Sequence, residues 1–207
     1  NRQPLSPKLE DEIASRLREW IQRVDGVIIA DQVPERNCGT ISERVRALLG
    51  ELAQDSPRTV VAVDSRVRIG EFHNAIVKPN AGEAVSAVYP DRVEGPPDRA
   101  TVEASGRELY HRNGRPVFLT IGSEGILVFD REGMKHVPAI RVAGPIDIVG
   151  AGDSTMSGIV SALCCGADHS EAALIGNLVA SITIQQIGTT GTATRAQVLD
   201  RYREALT

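Results

Sequence analysis

Residues 147–154 read Asp-Ile-Val-Gly-Ala-Gly-Asp-Ser and stand directly before an apolar segment with helical spacing. Small residues at 150–152 allow successive backbone N–H groups to point into one concavity at the start of that helix. Such a concavity binds anions, phosphate included, because the N–H groups and the helix dipole both favour negative charge. Asp153 falls in the first turn, where its carboxylate can take a proton from an attacking hydroxyl. The residues alone leave a second interpretation open, a glycine-rich turn in which Asp153 caps the helix.

Short apolar runs and amphipathic segments alternate along the rest of the chain. The apolar runs predict strands at 27–30, 60–63, 75–77, 117–121, 126–129 and 135–137, with a hairpin turn at 122–125. Helical spacing predicts helices over 7–24, 40–53, from 80 onward, and over 98–112, 152–165, 170–186 and 195–206. One buried face of the first helix is expected to carry Leu9, Ile13, Leu17, Trp20, Ile21 and Val24. The alternation predicts an α/β layered fold with a mainly parallel sheet and helices on both faces.

Polar residues follow several of the predicted strands directly. They are Asp31, Asp64, Asn80 and Thr120. Ligands of such sheets bind outside the carboxyl ends of the strands. We therefore expect these four side chains to line one crevice.

The composition excludes several classes of partner. The 207 residues carry a formal net charge of −4, whereas a nucleic-acid surface or a polybasic membrane patch needs excess Lys and Arg. No apolar run approaches the roughly 18 residues of a membrane-spanning helix. Only 3% of the residues are aromatic, so the core must be built from Val, Ile, Leu and Ala. The sequence also lacks the Gly-x-x-x-x-Gly-Lys-Ser/Thr phosphate loop.

The cysteines and the N-terminus favour a reducing, cytoplasmic compartment. Cys164 and Cys165 are neighbours and Cys38 stands alone, so no disulfide framework or Cys-x-x-Cys metal spacing is present. Neighbouring cysteines in an apolar helix are expected to be small core residues. The histidines show no spacing typical of metal ligands, and no signal-peptide pattern begins the chain.

Residues 147–154 resemble the C-terminal signature of the PfkB/ribokinase family of carbohydrate kinases, Asp-Thr-x-Gly-Ala-Gly-Asp-x-Phe, with departures at Ile148 and Thr155. Three further segments fit the family in the expected order. Residues 78–83 resemble its Asn-x-x-Glu motif, and residues 120–125 resemble its Thr-x-Gly-x-x-Gly nucleotide loop. Asn177 corresponds to an Asn that borders the adenine pocket, and the closing loop follows at 188–190. The resemblance spans essentially the whole chain and implies a ribokinase-like fold.

The resemblance implies an ATP-dependent sugar kinase with a defined reaction centre. Asp153 would be the general base for a substrate hydroxyl. The amides of Gly150, Ala151 and Gly152 would form the anion hole for the γ-phosphoryl group. Asp147 would support a monovalent-cation site, K⁺ being the candidate, with backbone carbonyls near Val149 and Gly188. The simpler interpretation is that Asp147 fixes the loop that enters the glycine run.

The resemblance also implies a nucleotide site and a magnesium site. Thr120, Gly122, Gly125 and Asn177 would hold the nucleotide, and Asn80 and Glu83 would organise Mg²⁺ through water. A hairpin turn and a capping box are the structural alternatives for the two motifs, and the capping box can coexist with Mg²⁺ binding. No aromatic residue occurs between Lys135 and Arg201, so we expect an aliphatic adenine pocket.

Within the family, the sequence looks closest to the ADP-heptose-pathway kinases, on segments 4–7, 63–66 and 76–80. Those kinases usually carry Tyr-Gly-Lys-Gly after the strand that ends at Asp31, with a Lys able to meet a substrate phosphate. This chain has Gln-Val-Pro-Glu at 32–35 instead. The acceptor is therefore left open between a sugar and a sugar phosphate, and Asp31 is a weak candidate for contacting it.

The resemblance further implies that residues 1–207 form one ribokinase-like α/β domain that lacks the family's N-terminal strands and lid. The missing part supplies most sugar contacts and often a dimer interface, so a homodimer is a candidate assembly. Two alternatives to a sugar kinase stay open. One is a nucleotide-binding lobe without catalysis, and the other is a nucleoside kinase of the same fold. In each case the partner is a small molecule rather than nucleic acid or membrane.

Overall fold

A computed structural model describes residues 3–92 and 95–205. Within these ranges six strands form one sheet in chain order: β1 (Gly26–Asp31), β2 (Val60–Ser65), β3 (Ile76–Val77), β4 (Val117–Thr120), β5 (Gly125–Asp130) and β6 (Gly133–Pro138). The pairs from β1 to β4 are parallel, and the β4–β5 and β5–β6 pairs are antiparallel. The predicted mainly parallel sheet with a hairpin after β4 is confirmed.

Helices cover both faces of this sheet. They are α1 (Pro7–Trp20), α2 (Glu43–Asp55), α3 (Ala81–Val88), α4 (Arg99–Asn113), α5 (Ala151–Cys164), α6 (His169–Thr183) and α7 (Arg195–Ala205). Alternate strand residues point to opposite faces. On one face Val63 and Leu119 pack with residues of α2 and α4. On the other, Phe118 packs with Ile159 of α5 and with α6. No helix in the described part of the chain is long and apolar enough to cross a membrane.

Side-chain caps set the start of most helices. Ser6, Ser42, Asn80, Asp98 and Asp168 each accept a hydrogen bond from a backbone N–H in the first turn of the helix that follows. Capping by Ser42 explains why α2 begins at Glu43 and not at Thr40 as predicted. The helix α5 differs, because Gly150 precedes it and no side chain caps it.

Two predictions about buried faces are wrong. The first helix ends at Trp20, whose side chain is 50% exposed and lies under the Arg23 guanidinium, and Leu9 is also exposed. The predicted face is correct for Ile13, Leu17 and Ile21, which pack against the core, and it fails at the two exposed residues. Cys164 and Cys165 are exposed rather than core residues because they stand where α5 ends at the surface.

Candidate functional site

The carboxyl edge of the sheet borders a cavity of about 1140 Å³. Its walls come from the residues that follow β2, β3 and β4, from the start of α5 and from α6. The predicted site residues that line it are Asn80, Glu83, Thr120, Gly122, Gly125, Gly150, Ala151, Gly152, Asp153 and Asn177. The structure thus brings together residues of all four sequence motifs. Asp64 also lines the cavity, as expected for a strand-end residue.

The start of α5 lies where the anion site was predicted, but one of the three predicted amides is already hydrogen-bonded. Gly150 has a left-handed backbone (φ 79°), and its carbonyl accepts the Ser154 N–H at 2.9 Å. This conformation closes a turn in which the Ala151 N–H donates to the Ile148 carbonyl at 3.1 Å. The Ala151 amide is therefore already engaged, contrary to expectation. In the described residues no side chain caps the helix, which leaves the first-turn N–H groups of Gly152 and Asp153 without a side-chain acceptor, and both residues line the cavity.

Asp153 lies in the first turn of α5 and lines the cavity with an exposed side chain. No hydrogen bond or ion pair is recorded for its carboxylate among the residues that the structure describes. Capping by Asp153, the alternative interpretation, is absent there as well. A carboxylate without a protein partner, beside uncapped N–H groups, has the geometry required of a general base next to an anion site.

The Asn80–Glu83 motif forms a complete capping box at the start of α3. The Asn80 side chain accepts the Glu83 N–H at 2.9 Å, and the Glu83 carboxylate accepts the Asn80 N–H at 2.8 Å. Burial raises the pKa of the Glu83 carboxyl above its usual value; the hydrogen bond from Asn80 opposes this effect and the nearby Asp64 carboxylate reinforces it. The box leaves oxygen atoms of both side chains at the cavity wall, so capping and cation binding are compatible.

The oxygen donors at this wall suit a hydrated cation. In residues 3–92 and 95–205 no group of three or more His, Cys, Asp or Glu side chains is arranged to hold a metal ion directly. Mg²⁺ retains several waters when it binds proteins, and carboxylate and amide oxygens are its preferred contacts. Asn80 and Glu83 therefore fit Mg²⁺ held through its water shell rather than by direct ligation.

Sequence reasoning missed Lys78, whose ammonium group pairs with Asp64 inside the cavity wall. Lys78 Nζ lies 2.9 Å from Asp64 Oδ2, and the two side chains are only 4% and 13% exposed. A Cβ atom on Gly152 would lie 3.5 Å from Lys78 Nζ, so the ion pair sits against the first turn of α5. The register of the predicted strands could have identified this pair. Because β2 and β3 are parallel and pair Val63 with Val77, Asp64 stands opposite Lys78.

The predicted nucleotide loop connects β4 to β5 and lies beside the Asn80 motif. The Thr120 N–H donates to the Pro79 carbonyl at 2.9 Å. Gly125 has φ 105°, and a Cβ atom there would overlap the Val137 carbonyl oxygen, so glycine is required at this position. The Arg99–Glu124 ion pair at 3.0 Å connects the loop to α4, and both residues line the cavity.

Asn177 projects from α6 into the wall that we expect to border adenine. Its side-chain amide donates to the carbonyls of Val137 and Pro138 at 3.1 and 2.9 Å. The apolar residues of the cavity lining are Ala, Ile, Val and Pro, and no aromatic residue contributes to it in the described ranges. The wall around Asn177 is therefore aliphatic, and binding of adenine there stays a prediction.

Asp147 lies outside the cavity lining and joins two loops. Its carboxylate accepts the Val149 N–H at 3.0 Å and the Gly188 N–H at 3.1 Å. These hydrogen bonds, that of Val149 first, lower the pKa of Asp147 below its usual value. Asp147 thus links the backbone at Val149 to the backbone at Gly188, the two segments named for the cation site. It does so by accepting their N–H groups, as expected if Asp147 fixes the loop that enters the glycine run.

Asp31 does not line the cavity, and the prediction that it does is wrong. Its carboxylate is buried, accepts the Ser65 hydroxyl at 2.7 Å and pairs with Arg68 at 3.2 Å. The Arg68 guanidinium also donates to the carbonyls of Val33 and Pro34. Asp31 does lie at the end of β1, as predicted, but its carboxylate forms a buried ion pair with Arg68 and does not face the cavity.

The sheet order, the helices on both faces and the cavity at the carboxyl edge define a ribokinase-like α/β fold. The model of the pfkB family of carbohydrate kinases matches residues 68–196. The chain belongs to this family, as its motifs led us to expect.

Individual relatives agree with this assignment. The bifunctional protein HldE of Bradyrhizobium diazoefficiens is 26% identical over 189 residues, which cover 90% of this chain and 37% of that protein. The potassium complex of phosphofructokinase-2 from Escherichia coli superposes with a TM-score of 0.72 at 20% identity, over 96% of this chain and 63% of that one. Ribokinase of Arabidopsis thaliana complexed with ribose and ATP gives a TM-score of 0.70 at 16% identity, over 96% and 59%. The chain thus spans well under half of that curated relative and about three fifths of these structures.

Proposed function

We propose that the protein is an ATP-dependent carbohydrate kinase that transfers the γ-phosphoryl group to a hydroxyl of a sugar or sugar phosphate. One observation carries the proposal: the first turn of α5 is uncapped and stands beside the unpartnered Asp153 carboxylate in a nucleotide-sized cavity. The same cavity holds the Thr120 loop and the Asn80–Glu83 motif. Membership of the pfkB family supports this chemistry.

In the proposed reaction Asp153 accepts the proton of the acceptor hydroxyl. The acceptor oxygen forms its bond to the γ-phosphorus, the bond between that phosphorus and the ADP oxygen breaks, and ADP leaves with the bonding electrons. The N–H groups of Gly150 and Gly152 stabilise negative charge on the transferring group. Ala151 serves by closing the turn, since its own N–H donates to Ile148.

The nucleotide would lie between the β4–β5 loop and α6. Thr120, Gly122 and Gly125 hold its phosphates and ribose, and adenine lies against the aliphatic wall near Asn177. Mg²⁺, when bound, neutralises phosphate charge, and Asn80 and Glu83 would hold it through water. A neighbour of known structure contains potassium, and on that basis we assign a K⁺ site to the loops joined by Asp147.

The proposed acceptor class rests on the resemblance to ADP-heptose-pathway kinases and on the HldE relatives. The proposal includes a small-molecule acceptor and a cytoplasmic location for the reaction. Gln32 lines the cavity at the position where those kinases usually continue into a Lys-containing loop. The chain spans 37% of one such relative.

A nucleotide-binding lobe without catalysis is the second candidate. The observation that favours it is the exposure of Asp153 at the cavity wall. A site open to water lets hydrolysis compete with transfer to a sugar. This candidate predicts nucleotide affinity without a phosphorylated product.

Calorimetry with AMP-PNP and Mg²⁺, together with a kinase assay on a panel of sugars and sugar phosphates, separates the two candidates. For the kinase we expect nucleotide binding and a phosphorylated acceptor. Asp153→Asn should then lower turnover by about 10²–10⁴-fold while nucleotide binding survives. Asp200→Asn, on the exposed face of α7, is the matched control and should change neither quantity.

Binding without transfer would favour the lobe. Transfer that is unaffected by Asp153→Asn would overturn the assignment of the base. Failure of the wild type to bind AMP-PNP would overturn both candidates.

A further inference from the structure

The Lys78–Asp64 ion pair lies in the cavity wall, and the chemistry proposed above assigns it no role. Asp64 follows Val63 in β2, and Lys78 follows Val77 in β3, so the parallel register brings the two side chains together. The Lys78 N–H donates to the Val63 carbonyl at 2.9 Å, which fixes the backbone from which the long side chain extends. The ammonium position is therefore set by the sheet and not by a flexible loop.

The Lys78 ammonium has donors to spare. An ammonium group carries three N–H donors, and Asp64 Oδ2 engages it at 2.9 Å. No second protein acceptor is recorded for Nζ among the described residues. A buried polar group normally has its partners, because an unpaired donor removed from water costs free energy. Since Lys78 lines the cavity, its remaining donors are available to a group bound there.

The location of the ammonium is electrostatically unfavourable for the chain alone. It sits 3.5 Å from the position of a Cβ on Gly152, beside the positive end of the α5 dipole. A cation in that place is repelled by the helix terminus, and Asp64 offsets only part of the combined positive potential. Two positive features at one point favour a ligand group of high negative charge.

The other charged groups at this wall do not neutralise the site. Glu83 and Asp153 are carboxylates of the proposed cation site and base, and Arg66 is an exposed cation for which no ion pair is recorded in the described residues. Arg66 and Lys78 both act on Glu83 to favour its charged form. The positive side of the cavity thus lies between β2, β3 and the start of α5.

We propose that Lys78 binds the terminal phosphoryl group of the nucleotide and that Asp64 is the positioning residue that holds the ammonium there. The inference rests on the proposed function. The ammonium and the N–H groups of α5 contact the same phosphoryl group from adjacent directions. A Cβ atom at 152 would contact Lys78 Nζ at 3.5 Å, so glycine at this position leaves that side of the ammonium uncovered.

The test compares the affinities of AMP-PNP, ADP and AMP, each with Mg²⁺, measured by calorimetry on the full chain. Lys78→Met should weaken AMP-PNP about tenfold or more, by loss of a charge-assisted hydrogen bond, and should leave AMP unchanged. Asp64→Asn should give a smaller loss for the same ligand. Lys135→Met is the matched control, because Lys135 pairs with Glu132 on exposed β6.

The double variant Lys78→Met/Asp64→Asn keeps the test valid if Lys78→Met folds poorly, since it leaves no unpaired buried carboxylate. It should show the same selective loss of AMP-PNP affinity. An equal loss for AMP-PNP, ADP and AMP, or no loss at all, would overturn the inference while the proposed function stands. A wild type that binds none of the three nucleotides would instead contradict the proposed function.

Discussion

Two buried ion pairs stand close to the carboxyl edge of the same sheet, and their surroundings differ. Arg68 pairs with Asp31, and the guanidinium also donates to two backbone carbonyls while Ser65 donates to the carboxylate. Lys78 pairs with Asp64 alone and lines the cavity. In the Arg68–Asp31 pair, both side chains have further protein partners, and the pair holds the 31–34 loop. In the Lys78–Asp64 pair, the ammonium has unused donors beside the N-terminus of α5. Of these two pairs, we therefore propose a binding role only for the one whose ammonium has unused donors at the cavity.

The largest expected effect concerns the Arg68–Asp31 pair. Arg68→Met leaves the Asp31 carboxylate buried without its cation, so we expect the free energy of unfolding to fall by about 3–5 kcal/mol. Urea denaturation measures this change. Arg203→Met is the control, because the Arg203–Asp200 pair is exposed and should contribute less than about 1 kcal/mol. Similar losses for the two variants would refute a structural role for Arg68.

The Lys78–Asp64 pair should contribute less to stability than the Arg68–Asp31 pair. Lys78→Met leaves Asp64 unpaired, but the 13% exposure of that side chain lets cavity water reach it. We expect a loss of about 1–3 kcal/mol in the same denaturation experiment. If Lys78→Met destabilised the chain as much as Arg68→Met, both pairs would be structural and the contrast between them would fail.

Gly152→Ala should separate stability from binding. The added methyl would make ordinary contact with Lys78 Nζ at 3.5 Å, and alanine in a helix is favoured over glycine by up to about 1 kcal/mol. We expect unchanged or slightly increased stability together with weaker AMP-PNP binding, because the methyl covers the ammonium. Thermal unfolding and calorimetry on one sample measure both. Undiminished AMP-PNP affinity would show that the ammonium is not part of the binding surface.

The smallest effect is a change in the pH dependence of stability. The raised pKa of Glu83 means that the folded chain binds this proton more tightly than the unfolded chain does. The contribution is present at acidic pH and is lost as the pH rises through the raised pKa. Glu83→Gln can keep the capping box but does not titrate. The free energy of unfolding of the wild type should therefore fall relative to that of Glu83→Gln as the pH rises from the usual range of a glutamate carboxyl through the raised pKa of Glu83. A difference that is independent of pH would contradict the raised pKa.

The sequence was sufficient for most elements of the sheet and for the site motifs, because these depend on local signals. Apolar runs identified the strands, and the Asn80–Glu83 spacing alone identified the capping box. Helical spacing failed for Trp20 and Leu9, since periodicity does not reveal whether another element covers the face.

The two ion pairs could not be predicted in this way. Asp31 meets Arg68 because the sheet pairs Asp31 with Ser65 at the end of β2 and Arg68 stands in the loop after β2. Asp64 meets Lys78 only through the register of β2 with β3. The engaged Ala151 amide likewise depends on the left-handed conformation of Gly150, which the residue type permits but does not require.

We propose above that nucleotide phosphates bind at the start of α5. NMR tests this directly by following the backbone amide resonances of Gly152 and Asp153 while AMP-PNP or AMP is added with Mg²⁺. We expect large, saturable shifts of these two amides with AMP-PNP and much smaller ones with AMP. Shifts confined to other parts of the chain, or equal shifts with both nucleotides, would contradict it.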